Sequence, residues 1–356
     1  SAAGAAAGAS GLVAGGVVTS LAGWRAVFWL NLPLAAVLIL TVLRTVPSAP
    51  RTPRVRLDVL GAGLFTAAVM GLVLGASLLE QRASRAGGAV LVGAGALLLA
   101  IFARAQRIVP EPLLPAAAAR SPRLRAGAGG AFLNTATTSS VVTLATLYLQ
   151  HARGVGPAAA GLRLVPFSIC VVLGSTVAGR LLAQRDPCVG LTAGLGAIAI
   201  GDAGLLAVPL ADGLLSVCVA IAGLGIGLSS VAATALGTNV PGELQGAAAG
   251  ILNSAAQVGT ALGVSAAVLI AGATEHVPFP VHGPRLSWAL AALFAASGSL
   301  LALRRLRRDA RASSSGRRSL LPAQDRSGSG DAVSRGASDD GASRSSRKRL
   351  RARPPA

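Results

Sequence analysis

The sequence predicts an all-α polytopic membrane protein with ten transmembrane helices. Three observations lead there. Of the 356 residues, 53% are apolar. Only 13% are charged, against about 25% in an ordinary soluble domain. The apolar residues fall in runs of about 18 or more, the length that crosses a hydrocarbon core about 30 Å thick at about 1.5 Å per residue. The runs are 2–21, 26–43, 57–79, 86–103, 126–149, 162–182, 189–210, 213–237, 247–272 and 286–303. They are helices because a backbone in lipid must satisfy its own hydrogen bonds, and they lack the polar/apolar alternation of barrel strands.

The first run carries Gly4, Gly8, Gly11 and Gly15 on one helical face, where small residues admit a close neighbour. The second has Trp24 and Trp29 at its start and runs into Arg44, Arg51, Arg54 and Arg56. The third and fourth have Asp58 and Glu80 at helix ends and Arg82 and Arg85 in the connection between them. The fifth holds Asn134, Thr135, Thr137, Thr138, Ser139 and Ser140 and reaches Tyr148 at its far end. The sixth closes on Arg180, and the seventh contains Asp202. The eighth places Gly223, Gly227, Ser230 and Thr234 on one face, and the ninth repeats that geometry with Gly246, Gly250, Asn253 and Gln257. The tenth begins near Trp288 and leads into Arg304, Arg305, Arg307 and Arg308. From Arg304 the chain is rich in Ser, Arg, Gly and Asp without an apolar period, a composition expected to stay disordered.

Arginines set the orientation, since basic loops stay on the cytoplasmic side. One set of alternate connections holds Arg44 to Arg56, then Arg104, Arg107, Arg120, Arg123 and Arg125, then Arg180, Arg185 and the tail. The other holds only Arg25, Arg82, Arg85, Arg153, Arg163 and Arg285. The first set is the cytoplasmic one, so a multi-pass protein of the plasma membrane is expected, with both ends of this chain inside. Trp24, Trp29, Tyr148 and Trp288 then map to outer helix ends, where amphipathic rings anchor.

Several function classes are excluded by what the chain contains. Its formal net charge is +19, but no soluble basic domain carries it, so nucleic acid is not an expected partner. Cys170, Cys188 and Cys218 show no C-x-x-C spacing, and His151, His276 and His282 are scattered. Neither a disulfide framework, a metal site nor a cofactor is expected. Gly-rich strings at 194–196 and 223–227 lack the strand and the Lys of a nucleotide loop. No catalytic constellation is present, so an enzyme is not expected. The first residues are already membrane-like rather than leader-like, so the sequence is expected to begin inside a longer one.

Asp202 is the one carboxylate well inside an apolar run. Its charge there costs about 2.5–3.5 kcal/mol on insertion scales, which makes it a candidate for proton coupling. Asn134, Thr138, Asn253 and Gln257 are candidates for lining a substrate cavity, because an amide in hydrocarbon needs a partner or water. The plainer reading is that such residues hold helices together.

The segment from Gly23, Trp24 and Arg25 through Phe28 to Asn31 and Pro33 resembles the G-W-R-W-x-F-x-x-N-x-P signature of fourteen-helix drug:proton antiporters. These are the EmrB/QacA-like branch of the major facilitator superfamily. Just before it, Gly11 to Gly16, with Gly15 and Gly16, is similar to the family's G-P-x-x-G-G motif, with Leu12 in place of proline. Asp58-Val59-Leu60-Gly61 resembles the D-x-x-G start of the first additional helix. Leu147-Tyr148-Leu149-Gln150, Ala160-Gly161-Leu162 and Val165-Pro166 follow the family pattern, as do Gly179-Arg180 and the stretch from Pro241 to Gln257.

The resemblance implies the major facilitator fold, with the ten helices aligned to helices five to fourteen and the first four missing. It implies that 1–43 ends an N-terminal bundle and that 44–125 holds two linking helices. Residues 126–303 would form a C-terminal six-helix bundle, and 304–356 a basic cytoplasmic tail. It also implies proton-coupled efflux of drugs or amphipathic metabolites by alternating access. The partners would be the lipid bilayer, protons and a small-molecule substrate. The alternative is a non-transporting membrane fragment or scaffold.

Overall fold

The computed structural model describes residues 11, 14–45, 58–80, 82–109, 112–113, 118, 120–210, 213–273 and 283–319. The chain divides into one compact unit, Ser1–Asp309, and a second, Ala310–Ala356. After a helical segment over 14–22, ten α-helices follow. They are α1 (Trp24–Thr45), α2 (Val59–Glu80), α3 (Arg85–Ala105), α4 (Pro122–Leu147) and α5 (Pro157–Arg163), then α6 (Val165–Leu182), α7 (Pro187–Gly204), α8 (Leu214–Gly237), α9 (Gln245–Ala273) and α10 (Gly283–Ser319). One turn of π-helix, Tyr148–Ala152, extends α4.

Proline sits in the first turn of α4, α5, α6 and α7, where its missing N–H would have no helical partner anyway. Ser121 caps α4 by accepting the Leu124 N–H at 3.3 Å, and Asp186 caps α7 by accepting the Cys188 N–H at 2.7 Å.

Eight helical stretches among the described residues are long and apolar enough to cross a membrane. The expected run 2–21 lies mostly outside the described residues. The other shortfall is α4, whose 26 residues would reach about 39 Å. Its polar stretch from Asn134 to Ser140 lowers its apolarity below that of its neighbours. Helix α10 corrects the expected disorder from Arg304, because it continues to Ser319. The Ala- and Arg-containing stretch after Leu303 has good helix propensity, and extending a formed helix avoids the nucleation barrier. Residues 320–356 lie outside the described residues.

Helix α8 is central and packs on α4, α6 and α7, while α9 packs along α4. Helices α2 and α3 form an antiparallel pair that touches α9 through α2. Helix α10 is tied to α9 by Ser287, which donates to the Ala267 carbonyl at 2.8 Å. It is tied to α7 by Ser299, which donates to the Thr192 carbonyl at 2.9 Å. Close approach of backbones carries these contacts, since lipid offers no hydrophobic drive between helices. At the α6/α8 crossing, Gly227 lies against Val171, Gly174 and Ser175, leaving no space for a side chain. Helix α1 buries none of its residues against the rest of the chain.

The motif resembling D-x-x-G has a clear structural role. Asp58 accepts the Gly61 N–H at 2.7 Å, capping α2, and its other oxygen accepts Gln106 Nε2 at 2.7 Å from beyond the end of α3. Gly61 is buried against both side chains, so a methyl group there would collide with them. Asp58→Ala is expected to loosen the α2/α3 pair by about 1–2 kcal/mol. Thermal unfolding in detergent, followed by proteolysis of the 82–84 link, measures it.

Tyr148 and Trp288 are not interfacial anchors. They are 3% and 0% exposed and meet edge to face, with ring centroids 6.0 Å apart, inside the cluster that joins α4, α8, α9 and α10. Both lie on the inward faces of their helices, which overrides the preference of such rings for a headgroup region. Trp24 and Trp29 are 60% and 70% exposed.

Candidate functional site

Three helices build a partly open recess with polar side chains in its lining. Helix α4 contributes Ala131, Asn134 and Thr135; α8 contributes Ser230 and Thr234, with Thr238 just past its end; α9 contributes Ala249, Leu252, Asn253 and Ala256. The recess has a volume of about 270 Å³. No side chain in its lining is ionisable.

Asn134 is only 1% exposed. Its Nδ2 donates to Ser230 Oγ at 2.9 Å, bridging α4 to α8. Its carbonyl oxygen has no partner among the described residues. One turn further along α4, the buried Thr138 hydroxyl is likewise unpaired. Thr135 donates across the seam to the Ala256 carbonyl at 2.7 Å. Along the same seam Ser139 and Thr260 hydroxyls lie 3.3 Å apart.

Of the residues expected to line a cavity, the structure therefore brings Asn134 and Asn253 together. Thr138 is near Asn134 on the same helix face but outside the lining. Gln257 is exposed on α9 and also outside it. The recess gains Thr135, Ser230, Thr234 and Thr238. The spacing of Ser230, Thr234 and Thr238 at i, i+4 and i+8 was the available signal that these hydroxyls share a face.

An apolar crevice of about 270 Å³ lies on the other side of the α4/α9 seam, walled by Phe132, Leu262, Ile270, Leu290 and Phe294 among others. Its hydroxyls, Thr137, Ser140 and Ser287, all donate to backbone carbonyls. The seam thus separates a polar recess from an apolar one.

Asp202 is elsewhere. It sits near the end of α7, 0% exposed, and neither carboxyl oxygen has a partner among the described residues. The neighbouring Gly201 lies against Cys218 and Ala222 of α8. The structure does not place Asp202 in the polar recess.

The motif residues near the start of the chain fall as follows. Gly16 faces Pro157 and Ala158 at the start of α5, whereas Gly11 and Gly15 have open space around them. The Arg25 guanidinium stands 4.8 Å from the Trp24 ring centroid. Asn31 is exposed, and Pro33 lies inside α1.

These features define a multi-pass helical membrane protein with a polar recess in its packed bundle. Residues 127–355 match the Major Facilitator Superfamily, and the chain belongs to that family. It is 32% identical over 265 residues to a tetracenomycin C resistance and export protein of Streptomyces glaucescens, covering 72% of this chain and 49% of that protein. It is 32% identical over 275 residues to a cephamycin export protein of Amycolatopsis lactamdurans, covering 74% of this chain and 56% of that one. It is 30% identical over 310 residues to a methylenomycin A resistance protein of Streptomyces coelicolor, covering 85% and 64%. The chain spans about half the length of the curated relatives it matches.

Proposed function

We propose that this protein exports amphipathic small molecules across the plasma membrane by alternating access, in exchange for protons. The observation that carries this reading is the recess between α4, α8 and α9, lined by Asn134, Thr135, Ser230, Thr234, Thr238 and Asn253, where the buried Asn134 amide keeps a carbonyl without a partner among the described residues. A polar group in that setting is more often near a transport path than idle. The names of the relatives point the same way, since they are resistance and export proteins of antibiotics.

The finer assignment belongs to the same proposal. The helices take the register of helices five to fourteen in the fourteen-helix drug:proton antiporters. Residues 44–125 supply two linking helices, and 126–303 the C-terminal bundle of six. The arginine distribution supports a cytoplasmic position for both ends of this chain. Two bundles rocking about a central site would expose the recess to each side in turn. Asp202 is the proposed proton-coupling residue.

Efflux of a fluorescent drug from cells expressing the full reading frame tests the proposal. Export is expected to fall to background when a protonophore collapses the gradient. Asn134→Leu is expected to cut the rate about tenfold or more, the loss of one buried hydrogen bond to the carried molecule. Export that persists without the gradient removes proton coupling. Export indifferent to Asn134→Leu removes the recess from the path.

A further inference from the structure

We propose that the arginine-bearing end of α10 binds an anionic phospholipid, with the phosphate held by Arg304 and Arg308 and the acyl chains lying along the exposed leucines that precede them.

Helical register builds the site. Helix α10 turns Trp288, Ala295, Ser299 and Ala302 inward, and Leu306 continues that face, packed against the cluster that holds Cys188 and Leu191 of α7. The opposite face looks away from the bundle. Leu293, Leu300 and Leu301 are exposed on it. Arg304 follows Leu300 by four residues and Arg308 follows Arg304 by four, so both exposed arginines stand on the same ridge as the leucines. Arg305 and Arg307 flank that ridge, the first half-buried and the second exposed. Because Leu306 is packed inward, the helix cannot turn these arginines away from the outer side.

Positive charge prevails at this end. Besides the arginines of 304–308, Arg185 stands in the turn between Leu182 and Cys188, two residues of the cluster against which Leu306 packs. Against them the sequence sets Asp186 and Asp309. Asp186 already accepts the Cys188 N–H at 2.7 Å. A surplus of guanidinium groups therefore remains where the apolar face of α10 ends.

Two properties choose the partner. A guanidinium fork takes phosphate oxygens in pairs, which a point charge cannot do. The ridge then continues as exposed leucine, so the partner carries hydrocarbon directly behind its phosphate. A nucleic acid or an acidic protein supplies the first feature without the second. A zwitterionic lipid brings its own ammonium group against the arginines, whereas an anionic lipid does not.

Native mass spectrometry of the full chain, titrated with dioleoyl phosphatidylglycerol or dioleoyl phosphatidylcholine, tests this. The phosphatidylglycerol is expected to bind about tenfold tighter. Arg304→Gln combined with Arg308→Gln lowers its affinity about twenty-fold, at about fivefold per arginine, and leaves the phosphatidylcholine affinity and the melting temperature unchanged. Arg304→Lys combined with Arg308→Lys keeps the charge and retains most of the binding. Arg104→Gln combined with Arg107→Gln removes the same charge at the end of α3 and leaves phosphatidylglycerol binding unchanged.

Equal affinity for the two lipids overturns the proposal, as does a preference that survives neutralising Arg304 and Arg308. An equal loss from the α3 pair would show diffuse attraction by every basic segment and overturns it too. Glycerol phosphate carries the anion without the chains. If it displaces the phosphatidylglycerol at equal concentration, the leucines contribute nothing and the ligand is a free phosphate instead of a lipid.

Discussion

Gly227→Val is expected to lower the melting temperature of the purified protein by about 10 °C or to prevent folding, while Gly250→Val leaves it within about 1 °C. The two glycines look alike in the sequence. Each follows another small residue four positions earlier on a membrane-spanning helix, Gly223 before Gly227 and Gly246 before Gly250. Their surroundings differ entirely. A Cβ on Gly227 would lie 2.7 Å from the Ser175 nitrogen, with the Val171 carbonyl and Gly174 pressed just as closely. These are backbone atoms of α6, so no rotamer change relieves the collision and the two helices must separate. Overpacking of this kind costs about 3 kcal/mol or more when the obstacle cannot move. Around Gly250 there is nothing within 4 Å. Thermal unfolding followed by helical circular dichroism decides the pair. Equal stability of the two variants would mean that α6 and α8 do not cross at Gly227.

The same contrast shows what the sequence could and could not reveal. Helix number, length and polarity are one-dimensional properties, and the apolar runs expressed them except where α4 traded apolarity for Asn134, Thr137, Thr138 and their neighbours. Faces are also readable, because the 3.6-residue period places Gly246, Gly250, Asn253 and Gln257 in one column. Which column meets which helix is not readable, since the partner is set by tertiary packing. Helix α9 in fact meets α4 through Gly259 and Gly263, on a different face of the helix, against Phe132, Thr135 and Ala136. Tyr148 and Trp288 illustrate the same limit. Their position near helix ends suggested a headgroup role, and only the packing of α4 against α10 turns them inward. Asn134 and Asn253 were suspected from polarity alone. Their convergence depends on α4 and α9 running side by side.

On the proposed proton-coupled export, Asp202→Asn is expected to lower gradient-driven transport at least tenfold in a protein that still folds. Buried near the end of α7 with no partner among the described residues, a charged carboxylate would cost several kcal/mol, while a neutral amide would cost less. The packed arrangement therefore disfavours a charge at this position, and a state that admits one would open its surroundings to water. Such a difference between two states is what couples a proton to a conformational change. Helix α8 offers the mechanical link to the recess. It faces the Asp202 region through Cys218 and Ala222 and lines the recess through Ser230. Eight residues at about 1.5 Å each put Ser230 roughly 12 Å along the helix from Ala222. Asp202→Asn fixes the neutral form, so downhill exchange of substrate should survive while accumulation against a gradient disappears. Asp202→Glu retains a titratable group and should keep part of the coupled rate. Asp202→Leu should be at least as stable as the parent, because apolar replacement of an unpaired buried acid is often stabilising. The decisive measurement is substrate flux into inverted vesicles with and without an imposed pH gradient. If Asp202→Asn responds to the gradient as the parent does, the carboxyl is only a buried core group and protons move by another route.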